Sequence, residues 1–216
     1  MSVKIKIPTK LKDITLRQYK RFLKIQENVK EERFLNAKMI EIFCDMKLED
    51  VMLLKLNDAQ EITAILTKMF EEKPNLVTRF KLNDTDYGFH PQLDDLTLGE
   101  YIDLDNYIGD WENMEKAMNV LYRPVLIKLK DKYNIEDYKL NNDVYLLDMP
   151  MDVVLSSIFF LWNLGLELSQ IMTNCLDKGE EKILTAYLNS QENGVGISQF
   201  LDSLKETLQD LKISLN

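Results

Sequence analysis

Few residues in this chain could act as a nucleophile or as a base. The 216 residues include one histidine, His90, and two cysteines, Cys44 and Cys175. Nucleophilic catalysis needs a nucleophile, a base and a group that orients the base. His90 stands beside Pro91 at the end of a predicted strand, and neither cysteine is near it in the sequence. These residues predict a protein that is not an enzyme.

The sequence also gives no pattern for a bound cofactor or metal. Gly194-Val195-Gly196 lacks the third glycine and the preceding strand of a phosphate-binding loop. One histidine and two cysteines are too few for the usual zinc ligands. Asp103 and Asp105 resemble the start of a calcium loop, but Tyr107 and Ile108 occupy positions that need an oxygen ligand and a glycine. We therefore expect no cofactor and no metal.

Charge is distributed unevenly along the chain. The net charge is −9, yet residues 1–40 contain 11 Lys/Arg and only 4 Asp/Glu. Residues 83–115 contain ten Asp/Glu and no Lys or Arg. Direct nucleic-acid binding requires clustered basic residues, so an acidic chain disfavours it. A pair of carboxylates in this stretch could still serve an enzyme, although no pair stands out from the others.

Two segments that are 82 residues apart carry the same signal for the start of a helix. Leu11-Lys12-Asp13-Ile14-Thr15-Leu16-Arg17-Gln18-Tyr19 matches Leu93-Asp94-Asp95-Leu96-Thr97-Leu98-Gly99-Glu100-Tyr101. In each, a threonine precedes Gln or Glu by three residues, which is the pattern of a capping box. Each segment follows a predicted strand that ends at a proline. The pattern suggests a duplicated strand–Pro–capped-helix unit over about residues 3–30 and 86–110, and independent convergence on a common helix signal is the alternative.

The remaining periodicity predicts a mostly α protein with a small antiparallel β element, an α+β fold. Strands are expected at residues 3–7, 78–82 and 86–90, with a turn at 83–85. Helices are expected from the N-cap Asn57 to Pro74 and over 108–122, where Pro124 would end the second. The long helix at 148–175 is apolar almost all round in its first half, so we expect a helical bundle around it.

The end of the chain has a different character. Residues 191–196 are linker-like, which divides the sequence into a body at 1–190 and a terminal helix at 197–216. Six apolar residues in that helix recur at a mean spacing of 3.5 and form a heptad seam: Ile197, Leu201, Leu204, Leu208, Leu211 and Leu215. An isolated helix of this length needs a surface to cover it. Another copy, a different protein or the body of the same chain could provide that surface.

Two further observations bear on where the protein acts. The run Val153–Leu166 is too short to span a bilayer and the first residues lack a signal-peptide core, so a soluble, cytoplasmic protein is expected. Trp111 adjoins the acidic stretch. It could be a core anchor or a residue that binds a partner.

The residues between 78 and 176 resemble a family of small tailed-bacteriophage proteins that take part in virion structure and assembly. The resemblance rests on Phe80–His90, Leu96–Leu104, Val120–Val125, Tyr133–Tyr138 and the helix that opens at Met149-Pro150. It implies a non-enzymatic assembly chaperone of the tail or baseplate, or a minor virion component. Such a protein would work in the host cytoplasm during assembly or remain in the virion. The family supplies no catalytic residues.

Two functions of different classes follow from these observations. The leading hypothesis is a phage morphogenesis protein that binds a tail or head component, or itself, without contacting nucleic acid or membrane. The alternative is an acidic decoy that imitates nucleic acid and occupies a host protein, because spaced carboxylates can imitate backbone phosphates. Association of the decoy would weaken steeply with salt.

Overall fold

The structure is a computed structural model, and it describes residues 5–129, 132–139 and 144–177. Its helices are α1 (Leu16–Asn28), α2 (Glu32–Phe43), α3 (Leu48–Val51), α4 (Leu56–Phe70), α5 (Leu98–Tyr107), α6 (Met114–Leu121) and α7 (Met151–Asp177). Its strands are β1 (Arg79–Leu82), β2 (Thr85–Phe89), β3 (Tyr122–Leu129) and β4 (Lys132–Ile135), which form one antiparallel sheet in that order. The prediction of a mostly α protein with a small antiparallel sheet is confirmed.

The hairpin of β1 and β2 forms where the sequence predicts it. Asn83 and Asp84 connect the strands, and both have positive φ, 47° and 66°. A two-residue hairpin turn needs this conformation to match the twist of the strands, and Asn and Asp tolerate it better than most residues do. The turn therefore fixes the register in which Leu82 faces Thr85.

The long helix α7 is a core element, as its apolar sequence predicts. From Met151 to Leu155 only Asp152 is more than 1% exposed, and Ile158 is fully buried. One side of α7 meets the sheet, where the rings of Phe89 and Phe160 lie 5.7 Å apart in an edge-to-face contact. None of the helices in the described ranges is long and apolar enough to cross a membrane.

An aromatic cluster joins the three longest helices of the amino-terminal half. Tyr19 of α1 contacts Phe70 of α4 with ring centroids 5.5 Å apart. Phe43 of α2 contacts both Phe22 of α1 and Phe70, at 5.3 and 5.2 Å. Tilted aromatic pairs at these distances add to the stability that area burial provides. The cluster packs α1 against α2 and α4.

Several predicted boundaries differ from the structure. Residues 5–7 of the expected first strand form no ladder, although Ile5 and Ile7 are half-buried against the core. Alternation indicates an extended chain, but a strand also needs a neighbour with free backbone groups. The N-cap of α4 is Lys55, not Asn57, and no side chain caps it. Leu56 has already begun the helix, so packing and not a local cap determines its start.

The region after α6 differs most from the sequence prediction. The helix expected over 108–122 is observed as a 3-10 turn at Trp111–Asn113 followed by α6, which ends at Leu121. Pro124 was expected to end this helix, but it belongs to a strand. It lies inside β3 opposite Tyr87, and its carbonyl accepts a hydrogen bond from the Glu136 backbone N–H at 2.9 Å. A proline can occupy a paired strand only where its missing N–H is not needed.

Candidate binding surface

The two segments with the shared helix signal form the same local structure. We call residues 11–28 the first capped helix and residues 93–107 the second capped helix. Each begins with a short 3-10 turn and continues as an α-helix with a complete capping box. The Thr15 and Thr97 backbone N–H groups donate to Gln18 Oε1 at 2.9 Å and to Glu100 Oε2 at 2.7 Å. The predicted capping boxes are confirmed.

The apolar start of the first capped helix is fully enclosed. Leu16 is 0% exposed and Tyr19 is 1% exposed. Thr15 forms an antiparallel bridge with Pro150, just before α7. The Leu16 backbone N–H donates to the Met149 carbonyl at 2.9 Å, and the Met151 backbone N–H donates to the Ile14 carbonyl at 2.9 Å. A segment of the chain's own sequence therefore covers this helix start.

The start of the second capped helix is open. Leu98 corresponds to Leu16, yet it is 71% exposed, and Ile102 one turn later is 47% exposed. No described residue forms a backbone hydrogen bond with the Leu98 N–H or the Leu96 carbonyl. The two capped helices thus share local chemistry and differ in whether another segment covers them.

A buried ion pair holds the second capped helix on the sheet. Glu100 Oε1 lies 2.7 Å from Arg123 Nη1, and both side chains are almost completely buried. Burial alone would raise the pKa of the Glu100 carboxyl. The hydrogen bonds from Thr97 and the charge of Arg123 outweigh burial and lower that pKa. The capping residue of α5 is therefore an anion that is bound to β3.

His90 lies against this ion pair and is itself buried. Burial lowers its pKa, and the charge of Arg123 acts in the same direction. Its Nδ1 accepts a hydrogen bond from the Gln92 backbone N–H at 3.3 Å. Both observations favour the neutral imidazole at neutral pH. Sequence reasoning identified His90 and Glu100 singly but missed their grouping with Arg123, which requires the contact between β3 and α5.

Trp111 lies in the core and packs against the first capped helix. Its side chain is 8% exposed, and its ring packs on Tyr19 with centroids 4.9 Å apart. The Trp111 Nε1–H is buried and has no hydrogen-bond acceptor in the described structure. Direct contact between Trp111 and a partner stays a prediction, and such contact would require the neighbouring segments to move.

The acidic stretch is partly neutralised from within the chain. Lys20 and Lys24 on α1 form ion pairs with Glu115 and Glu112. Asp103 accepts a hydrogen bond from the Tyr138 hydroxyl at 2.8 Å. Four other carboxylates of the stretch are exposed: Asp84, Asp86, Asp94 and Asp95. The last two lie in the 3-10 turn that leads into the open end of the second capped helix.

A separate cleft of about 560 Å³ lies beside the first capped helix. It is lined by both charge signs, including Lys6, Lys47, Asp13 and Asp45, and by Cys44. Burial raises the pKa of the Cys44 thiol to about 11, so this thiol is protonated at neutral pH and is a poor nucleophile. Within the described ranges, no group of three or more His, Cys, Asp or Glu side chains is arranged to hold a metal ion.

The predicted heptad seam, Ile197, Leu201, Leu204, Leu208, Leu211 and Leu215, lies outside the described residues, as does the 191–196 linker. No protein-family model, curated protein or solved structure matches this chain.

Proposed function

We propose that this chain is a non-catalytic bacteriophage morphogenesis protein that binds a tail or head component, as an assembly chaperone or a minor virion protein. The resemblance of residues 78–176 to small tailed-phage proteins supports the phage assignment. One structural observation supports the binding role. Leu98 and Ile102 are exposed at the start of a helix whose counterpart in the same chain is enclosed. The protein would act in the host cytoplasm during assembly and could remain in the virion.

Exposed apolar side chains support binding because they lie on a rigid element. The Glu100–Arg123 ion pair and the capping box fix α5 against the sheet, so little ordering is needed when a partner arrives. Leu98 and Ile102 are four residues apart and therefore lie on the same side of the helix. These two side chains provide a small apolar surface for contact with another protein.

The test uses co-expression of the chain with each structural protein encoded beside its gene. Leu98→Asp combined with Ile102→Asp should abolish co-purification with the cognate protein, because charged side chains cannot enter an apolar contact. Aspartate is acceptable at Leu98 in the first turn of the helix, and Ile102 is exposed, so the body should remain folded. Leu53→Asp is the matched control, because Leu53 is 84% exposed but lies far along the chain, between α3 and α4.

The terminal helix provides a second test of the same function. Leu204→Asp with Leu208→Asp should abolish partner or self-association while circular dichroism shows a folded body. Unchanged association by light scattering and co-purification would reject a binding role for the predicted heptad seam. Persistence of association in this variant, together with its loss in the Leu98 variant, would assign binding to α5 alone.

An acidic decoy is the alternative function, and the exposed carboxylates of Asp84, Asp86, Asp94 and Asp95 favour it. Association through these groups would weaken steeply between low and high salt. Association through Leu98 and Ile102 would depend little on salt. The internal pairing of Glu112 and Glu115 leaves fewer free carboxylates than the sequence suggests, which favours the morphogenesis role.

A further inference from the structure

The first capped helix shows how an extended segment can dock at this kind of helix start. The segment at residues 149–151 lies antiparallel to residues 14–16, with two backbone hydrogen bonds that flank the Thr15–Pro150 pair. This geometry uses the N–H of the first helical residue, which no helix can satisfy internally. It also places proline where its missing N–H is not required.

The second capped helix presents the equivalent groups without an occupant among the described residues. The Leu98 N–H and the Leu96 carbonyl correspond to the Leu16 N–H and the Ile14 carbonyl. Thr97 is extended, with φ −67° and ψ 158°, as is Thr15, with φ −95° and ψ 155°. At Gly99 an added Cβ would meet no atom within 4 Å, so a peptide backbone has room to approach.

Charge distinguishes the occupants that the two helix starts would accept. In the first capped helix, Arg17 forms an ion pair with Asp148 at 2.8 Å, and the charges of Lys12 and Asp13 act on Asp152. The covering segment thus carries acids opposite two basic residues. In the second capped helix, Asp94 replaces Lys12 and Gly99 replaces Arg17, while Asp95 keeps the acid of Asp13. A segment that complements the second helix start must therefore have basic or neutral residues at the positions that correspond to Asp148 and Asp152.

We propose that residues 96–98 form a docking site for an extended segment of a partner protein. The segment pairs with Thr97 as an antiparallel bridge, has the order apolar–Pro–apolar, and carries Lys or Arg opposite Asp94 and Asp95. This inference rests on the proposed binding function and adds the mode of binding and the chemistry of the partner segment. A second copy of the chain and residues 178–216 of the same chain are the competing occupants.

The test uses peptides derived from the chain's own covering segment. One peptide has the sequence of residues 146–153, and the other has Asp148→Ala and Asp152→Lys. Binding to the full-length chain is followed by the NMR shifts of the Leu98 and Gly99 backbone amides. The substituted peptide should bind roughly fivefold more tightly, because each exposed charge pair contributes modestly. Equal affinity, or no saturable shift up to about 1 mM peptide, would overturn the proposal.

Two variants at Leu98 separate the backbone contribution from the side chain. Leu98→Ala keeps the N–H and removes most of the apolar side chain. Leu98→Pro also removes the N–H, and proline is well accepted at the first helical position after an extended residue. Leu98→Pro should weaken binding beyond the loss in Leu98→Ala. Equal binding by the two variants would show that no backbone bridge forms.

Asp94→Lys tests the charge rule by reversing it. This variant should lose its preference for the substituted peptide and prefer the unchanged residues 146–153. Retention of the original preference would contradict the assignment of Asp94 as the selecting charge.

The free protein distinguishes the competing occupants. Strong hydrogen-exchange protection of the Leu98 amide that does not depend on concentration would place residues 178–216 in the site. Protection that increases with concentration would assign it to a second copy. Either result would overturn the proposal of a separate partner. If no peptide binds but co-purification still depends on Leu98, the proposed function stands and only this mode of binding fails.

Discussion

The first and second capped helices start with the same sequence pattern, but the two helix starts lie in different environments. Leu16 and Leu98 occupy the same position after the capping threonine, yet one is 0% and the other 71% exposed. Gln18 completes its capping box and also donates from Nε2 to the Ile42 carbonyl at 2.9 Å, whereas Glu100 pairs with a buried arginine. A capping box specifies where a helix begins. The elements that arrive later in the chain determine what covers it.

The two capped helices also differ in how they are attached to the rest of the protein. The segment before α7 covers the first helix start, so residues 14–16 and 149–151 are joined there. The second helix is attached on its inner side, through the ion pair of Glu100 with Arg123 of β3, the buried Leu104 and the hydrogen bond from Tyr138 to Asp103. Among the described residues, no segment encloses the outer side of this helix start, where Leu98 and Ile102 are exposed.

The largest expected effect is on the anchor of the second capped helix. Arg123→Ala leaves Glu100 buried without its partner, and loss of one member of a buried pair costs about 3–5 kcal/mol. The free energy of unfolding, measured with urea, should fall by that amount. The double variant Glu100→Gln with Arg123→Met should lose less, because no charge is left unpaired. Equal losses in the two variants would show that the ion pair is not the anchor.

The next largest effect is a difference in the free energy of unfolding between variants of Leu16 and Leu98. Leu16→Ala should lower the free energy of unfolding by about 2–5 kcal/mol, because it removes buried side-chain volume. Leu98→Ala should change it by less than about 0.5 kcal/mol, as expected of an exposed position. Thermal and urea unfolding of both variants would check this contrast. A large loss at Leu98 would mean that another part of the chain covers it.

A smaller and equal effect is expected at the two capping threonines. Thr15→Ala and Thr97→Ala each remove a hydroxyl that accepts a backbone N–H, at 3.2 and 3.3 Å. Each should cost about 0.5–2 kcal/mol in urea unfolding. Similar losses would show that the caps are locally equivalent despite their different surroundings. A much larger loss at Thr15 would indicate that its bridge to Pro150 depends on the hydroxyl.

The smallest expected effect is a pH dependence that comes from Glu100 of the second capped helix and from His90, which lies against it. His90 and Glu100 both have lowered pKa values in the folded protein. Their contribution to stability is therefore complete above the unfolded-state values, about 6.5 and 4.3, and is lost as the pH falls through the folded-state values. His90→Gln should remove the part of the loss that begins near pH 6.5. An unchanged pH dependence of stability in His90→Gln, measured against the unsubstituted protein, would contradict the assignment of His90, and Glu100→Gln tests Glu100 in the same way.

Patterns within a few neighbouring residues predicted much of the fold. The capping boxes, the hairpin turn and the apolar first half of α7 are each encoded within a few residues and are present where predicted. The turn is shorter than the predicted 83–85, because Thr85 already belongs to β2. The strand expected at residues 3–7 had an equally local signal. Residues 5–7 form no strand with any described residue, so alternation alone was insufficient there.

Features that depend on distant residues were missed. The strand β3 pairs with β2 on one side and with β4 on the other, and neither β3 nor β4 was predicted from the sequence. Glu100 and Arg123 form an ion pair although they are 23 positions apart. Glu100 stood out only as a capping residue, and no local pattern marked Arg123 as its partner. Exposed Leu98 could not be told from buried Leu16, because both follow the same threonine signal.

The sequence by itself determined the acidic balance, the helix starts, the hairpin turn and the apolar central helix, because hydrogen bonding and side-chain size act over a few neighbouring residues. Only the tertiary structure decided which helix start is covered, where Arg123 finds its partner and which carboxylates remain free. Those outcomes depend on which distant segment packs against each surface. The physical reason is burial: the stability contribution of a leucine or a charge depends on its neighbours in space.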